Sequence, residues 1–258
     1  MIDTHAHLNT AEFEKDLDEC ISRAKEHQLE HIIVIGMDKD SNHRAIEIAE
    51  KYDFIYASVG VHPGYVDQGN TDHLKDLLQH KKVVAIGECG LDFYWTKENI
   101  EKQKEIFLNQ IKLAIKTNYP LIIHTRNSFT EAYDMIKPYQ GRVKGVFHCF
   151  SSNVSDAKKA IDLGFYVGID GPVTYKKAQD LVELVSEIDL KYILIETDSP
   201  YLSPVPFRGK RNEPSYVRFV AEKIAEIKGI STEEVIKQTS LNAKLLFNIG
   251  GNLWKNVV

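Results

Sequence analysis

Short apolar, β-branched runs alternate along the chain with longer stretches whose apolar residues recur at helical spacing. Runs at 2–5, 32–35, 54–59, 83–87, 121–124, 143–148, 165–169 and 192–196 read as strands. Between them, Phe13, Leu17, Ile21 and Ala24 keep a helical repeat, as do Phe107, Ile111 and Ala114. Ile46 with Ala49, and Ala157 with Ile161, keep it in their own segments. Strand–helix alternation predicts a parallel sheet with right-handed crossovers, either closed or doubly wound. Eight such units in 258 residues favour closure. The expected fold is α/β, a (β/α)8 TIM barrel, with residues 1–258 as one domain and extra C-terminal helices. The least regular segment, 199–214, holds Pro200, Pro204, Pro206 and Pro214 and is predicted to be a rim loop. Three helical patterns are expected after it, from Ser215, Thr232 and Leu241.

The polar residues that interrupt the apolar runs sit at strand C-terminal ends. His5 and His7 end the first strand, His62 follows the third, Glu88 the fourth, His124 the fifth, His148 the sixth and Asp198 the eighth. In a closed barrel these ends meet on one face, so residues far apart in sequence are expected to converge. His5 and His7, two apart on a strand, point to the same side and can reach one cation. A lone pair of this kind is commonly structural. A glutamate, two further histidines and an aspartate at matching ends favour a metal centre. Four imidazoles and two carboxylates exceed what one catalytic ion usually takes from protein, so two divalent ions with a bridging carboxylate are expected. Glu88 is the best bridge, coming from the middle of the strand order. Mixed nitrogen and oxygen donors suit Zn, Mn or Mg. Such a pair would activate water, and Asp198 could both ligate and accept its proton, which gives Asp198 and Glu88 catalytic roles.

Charge and cysteine usage narrow the partners. With 32 basic and 37 acidic residues the formal net charge is −5, which excludes a global polyanion-coating surface but leaves room for a local basic rim. Cys20, Cys89 and Cys149 form no CxxC pair, so neither a disulfide framework nor a zinc knuckle is indicated. No apolar run reaches membrane-spanning length, and the N-terminus has no signal-peptide pattern. A cytoplasmic protein with no membrane contact and no obligate protein partner is expected.

The motif Asp3-Thr4-His5-Ala6-His7-Leu8 resembles the opening of the TatD family of metal-dependent deoxyribonucleases. So do the runs from Gly87 to Tyr94, Pro120 to Arg126, His148 to Ser151, Glu196 to Leu202 and Arg208 to Pro214, with Asn242 and Phe247 similar to the family's C-terminal helix. The resemblance implies one metal site from His5, His7, Glu88 and Asp198 and a second from Glu88, His124 and His148. It also implies phosphodiester hydrolysis in DNA, single-stranded or at strand ends and exonucleolytic. Ser152 departs from the glycine that many members carry after the His-Cys-Phe-Ser stretch, which touches loop shape only. Glu88 stands where related enzymes bridge their metals with a carbamylated lysine.

Other residues carry two readings each. His62 either contacts a substrate phosphate or is a solvated loop histidine. Arg126, two residues past His124, either pairs with phosphate or forms a salt bridge to a carboxylate such as Glu131. Arg208, Lys210 and Arg211 form the best candidate for a positive rim, against a plainly solvated face. Asp3 and Glu196, each two residues before a ligand, are expected to orient histidines or waters, and Asp92 to fix the loop after Glu88. Strand alternation sends Cys89 and Cys149 away from the mouth as packing residues. His27, His31, His43, His73 and His80 are expected to be solvated. Tyr94, Trp95 and Tyr201 either stack on bases or anchor loops. Competing functions are hydrolysis of another ester, a C–N bond or a phosphotriester, and a non-catalytic metal-binding barrel.

Overall fold

Eight parallel strands follow one another in chain order around a single sheet in the computed structural model, which describes residues 1–67, 70–95 and 97–250. They are β1 (Ile2–Ala6), β2 (His31–Ile35), β3 (Ile55–Val59), β4 (Val83–Asp92), β5 (Leu121–Arg126), β6 (Gly145–Phe147), β7 (Phe165–Ile169) and β8 (Ile193–Ile195). The helices between and after them are α1 (Leu17–Glu26), α2 (Lys39–Lys51), α3 (Leu74–Leu77), α4 (Ile100–Thr117), α5 (Phe129–Ile136), α6 (Val154–Asp162), α7 (Gln179–Glu187), α8 (Val217–Lys228) and α9 (Thr232–Phe247). This is the (β/α)8 TIM barrel. Among the described residues no helix is long and apolar enough to cross a membrane.

The apolar residues divide as a closed barrel requires. One large cluster fills the space between strands and surrounding helices. A second gathers Ile2, Ile33, Ile35, Val84, Ala85, Ile122, Val146 and Leu194 with Ala243, Leu246, Phe247 and Ile249. Most of the strand members lie towards the strands' N-terminal ends, so α9 plugs that end of the lumen. Asn242 fixes the plug by donating to the Leu190 and Ile193 carbonyls at 2.9 and 2.7 Å. α9 runs unbroken through Leu241, where a separate helix was expected, because no glycine or proline interrupts it.

Strand β4 also differs from expectation, continuing to Asp92 instead of ending at Gly87. Cys89, Gly90, Leu91 and Asp92 pair with Ile123, His124, Thr125 and Arg126 of β5. Gly90 permits this: its φ is +133°, and a Cβ there would lie 2.1 Å from the His124 carbonyl oxygen. The extension sets Asp92 beside the His124 end of β5.

The β8–β1 seam closes largely through side chains and loop backbone. Asp3 accepts from the Thr197 N–H (3.0 Å) and hydroxyl (2.6 Å) and from the His5 N–H (3.2 Å). Thr4 donates its hydroxyl to the Ile195 carbonyl at 3.1 Å. Above this, Asp198 N–H bonds the His5 carbonyl (2.9 Å) and His7 N–H bonds the Ser199 carbonyl (2.7 Å).

Three buried side-chain amides hold the loops at the mouth by capturing both backbone groups of one residue. Asn42 of α2 pairs with Gly60 (2.9 and 3.0 Å), Gln110 of α4 with Val61 (2.9 and 3.0 Å), and Gln103 of α4 with Asp92 (2.8 and 3.2 Å). Val61 is buried, so removing its partner orphans one donor and one acceptor. Orphaned buried groups cost about 1–3 kcal/mol each. Gln110→Leu is therefore expected to lower unfolding free energy by about 2–6 kcal/mol in a urea titration; an unchanged midpoint would contradict the brace.

Candidate metal centre

The strand ends bring seven polar side chains into one buried volume. On β5, β6 and β8 alternation carries the lumen-facing side from Ile122 to His124, from Val146 to His148 and from Leu194 to Glu196. Glu88 is at the centre and its two oxygens face different ways. Oε2 lies 3.5 Å from His5 Nε2 and 3.7 Å from His7 Nε2. Asp198 Oδ1 is 3.5 and 3.3 Å from the same nitrogens, which are 3.2 Å from each other. Oε1 lies 2.9 Å from His124 Nδ1 and 2.8 Å from His148 Nε2, nitrogens 3.4 Å apart.

These spacings test whether the residues fit a metal. Bonds of about 2.0–2.1 Å place tetrahedral ligand atoms about 3.3–3.4 Å apart. The first group sits at that spacing, and the second is slightly contracted around Glu88 Oε1. Both groups are nitrogen- and carboxylate-lined; His5, His7, Glu88 and His148 are buried, and Asp198 and His124 are partly so. The donor set therefore fits divalent cations on either side of Glu88.

Electrostatics point the same way. Burial would raise the Glu88 carboxyl, but the surrounding imidazoles, led by His148 and His62, hold it well below the ordinary range. Burial would likewise raise Asp198, and His7 and His5 draw it down. Burial and the facing His148 lower His5 to about 4, leaving a neutral ring with a free ligand lone pair. Burial opposes charge on His124 too, yet Asp92 and Glu88 push it up to about 9. The mouth also holds carboxyls that, among the described residues, pair with no lysine or arginine. Burial raises Asp3 and Asp170 to about 7, and burial with Asp170 lifts Glu196 well above its usual value. Cations answer that excess directly.

The neighbours orient the ligands. His124 gives its far nitrogen, Nε2, to Asp92 Oδ2 at 3.1 Å, which leaves Nδ1 facing Glu88. Asp92 Oδ1 also accepts from the Tyr94 and Trp95 N–H groups (2.9 and 2.8 Å), so it fixes the following loop as well. Glu196 accepts from the Cys149 N–H at 2.5 Å and lies 3.7 Å from His148 Nδ1. Gly168 makes room for it, since a Cβ there would lie 2.6 Å from the Glu196 carboxylate. Asp3 differs from expectation: its partners are the His5 backbone and Thr197, so it closes the seam and, among the described residues, bonds no imidazole.

His62 stands at the edge, its Nε2 3.6 Å from Glu88 Oε1. Its Nδ1 accepts from the Gly64 N–H at 3.0 Å. Burial outweighs the pull of Glu88 and lowers the ring to about 3, so its one proton lies on Nε2 and points inward. His62 thus offers a hydrogen-bond donor to the centre.

At the rim, Arg126 is exposed, its guanidinium 4.8 Å from the Tyr94 ring and 5.7 Å from that of Trp95. Among the described residues it has no ion pair with Glu131 or any other carboxylate. Arg208 is exposed and lies over Tyr175 at 4.4 Å. Arg211 is a correction: its fork grips Asp16 (2.7 and 2.6 Å) and the Glu12 carbonyl, and its face covers Phe13, so its charge is already matched. Cys149 is a second correction. Its φ of +43° breaks strand alternation and turns it towards Asp170 and Asp198. Cys89 is buried, with Sγ 3.5 Å from the Ile122 carbonyl. His31 and His73, expected in solvent, are partly buried against the Phe54 carbonyl and the Asn42 amide. Asp170, ending β7, was missed, although it follows an apolar run like the other strand-end residues.

A family model described as TatD related DNase matches residues 2–248. The chain is 47% identical to the metal-dependent hydrolase YabD of Bacillus subtilis, over 96% of this chain and 99% of that one. It is 30% identical to the 3'-5' ssDNA/RNA exonuclease TatD of Erwinia tasmaniensis, over 96% and 100% of the two chains. The crystal structure of the TatD homologue YjjV from Escherichia coli superposes with a TM-score of 0.91 at 29% identity, covering 97% of this chain and 98% of that one.

Because Glu88 serves both ligand groups, Glu88→Gln is expected to deplete bound divalent metal from both, whereas His148→Ala depletes one. Metal analysis of gel-filtered protein measures this, and full metal content in Glu88→Gln would refute the shared-carboxylate arrangement.

Proposed function

Since the chain belongs to the family of TatD-related DNases, we propose that it is a two-metal phosphodiesterase that trims single-stranded DNA or strand ends, working as an exonuclease. The observation that carries this reading is the division of the Glu88 carboxylate, one oxygen to His5 and His7 and the other to His124 and His148. When bound, a pair of divalent ions, Zn, Mn or Mg, supplies water activation near neutral pH and neutralises charge on the attacked phosphoryl group.

The chain's residues do the rest. Asp198 sits where β8 meets the mouth, its side chain 13% exposed, and receives the proton of the attacking water. Its φ of +54° and its N–H bond to the His5 carbonyl fix the carboxylate's direction. His62 donates its Nε2 proton to a non-bridging phosphate oxygen. Arg126 and Arg208 provide positive charge at the rim for neighbouring phosphates. Arg211, spent on Asp16, does not. Tyr94 and Trp95, 48% and 71% exposed, stand beside Arg126 as a surface for an unstacked base. A duplex keeps its bases stacked inside, so this surface favours single strands and frayed ends. The chain acts as one domain of residues 1–258 in this reading, in the cytoplasm, with nucleic acid as its partner.

Three measurements test it. Protein reloaded with Mn or Mg should release nucleotides from single-stranded DNA and stop on chelation; hydrolysis of lactones, amides or phosphotriesters without nuclease activity would overturn the proposal. Asp198→Asn should lower kcat about 100- to 10,000-fold. Trp95→Ala should weaken single-strand binding about 5- to 150-fold, the worth of one stacked base, while turnover of a small chromogenic phosphodiester stays unchanged.

A further inference from the structure

One cluster at the mouth is left over from both ligand groups. Cys149, Asp170 and Asp198 each direct a donor atom into a common space, all within 4.8 Å of one another. The chain brings them from the ends of β6, β7 and β8, the stretch of rim next to the seam. Two features separate this cluster from ordinary packing. Asp170 is only 4% exposed, and its Oδ2 is buried without a hydrogen-bond partner. A buried, unsatisfied carboxylate oxygen is costly unless something meets it. In addition, Cys149 takes a φ of +43°, outside the range a cysteine ordinarily adopts, and that turn brings its thiol in towards the two carboxylates. The Cys149 N–H bond to Glu196 holds it there.

We propose that Cys149, Asp170 and Asp198 form a third cation site, selective for a thiophilic divalent ion such as Zn, Co or Cd. One thiolate and two carboxylates match such ions, whereas Mg would have no use for the sulfur. Binding replaces the thiol proton, which leaves to solvent, by a metal–sulfur bond. The other two cysteines are no substitute: Cys20 and Cys89 are fully buried in the apolar core. The site shares Asp198 with the first ligand group. An ion held there therefore draws on the carboxylate that receives a proton in the proposed hydrolysis; only this consequence rests on that reading.

Titrating the metal-free full-length protein with Co(II) tests the site without any DNA. The expected result is three ions per chain, the third accompanied by a near-ultraviolet sulfur-to-cobalt charge-transfer band. Cys149→Ser should bind two, without the band, and keep the wild-type circular dichroism spectrum. Asp170→Asn serves as the second variant, and should lose the third ion while its thiol remains. Wild-type protein that binds no more ions than Cys149→Ser, an additional ion without the charge-transfer band, or a band that survives in Cys149→Ser would each overturn the proposal. Because the readout is spectroscopic, a missing nuclease activity would refute the proposed function and leave this result standing.

Discussion

A carboxylate buried among imidazoles at the mouth of the barrel is the constraint on which the rest depends. Glu88 is 2% exposed, and burying a carboxylate is tolerable only if its charge is met. The imidazoles meet it partly, yet a neutral imidazole is a dipole and two of them cannot both donate across the His5–His7 contact. Asp3, Asp170 and Glu196 add buried carboxyls nearby, and burial raises all three. Cations resolve the whole arrangement at once. They convert converging lone pairs from a repulsive crowd into a coordination shell.

That shell has to be held in place before any ion arrives, and much of the surrounding structure does this. The plug of α9 fills the opposite end of the lumen with apolar side chains. Gln103, Gln110 and Asn42 reach from helices to take both backbone groups of a mouth residue, as a neighbouring strand would. Gln103 acts on Asp92, Asp92 on His124, and His124 on Glu88, so one chain of contacts links α4 to the Glu88 carboxylate. Each link is a short polar contact, buried or partly buried, which ties the ligand geometry to the barrel.

Much of this was legible in the sequence because it rests on periodicity. The strands showed as β-branched runs, and the residues that converge at the mouth showed as polar breaks at their ends. Alternation then placed His124 above Ile122 and His148 above Val146. What escaped was set by contacts between distant residues. Nothing near Arg211 signals that Asp16, on the approach to α1, would absorb its charge. The extension of β4 to Asp92 depends on Gly90 fitting under the His124 carbonyl, a fact of pairing and not of propensity. Cys149 obeyed no alternation because its backbone leaves the strand region at that residue. Asp170 carried the usual strand-end signal, but its purpose appears only when Cys149 and Asp198 are beside it. The amide braces were invisible, since a glutamine on a helix looks the same whether it faces water or a loop.

The seam between β8 and β1 also sets the order in which the chain becomes competent. Its staple joins Asp3 to Thr197 across 194 positions, and the first ligand group straddles the same junction, with His5 and His7 on one side and Asp198 on the other. A chain emerging from the ribosome carries its histidines from the start but gains their aspartate only after the eighth strand. Contacts of such long range form late in folding. The nascent polypeptide therefore passes through synthesis without a complete first cage for a cation. The seam that closes the barrel is thus also the junction that completes the first ligand group, whereas Glu88, His124 and His148 are all supplied by the end of the sixth strand.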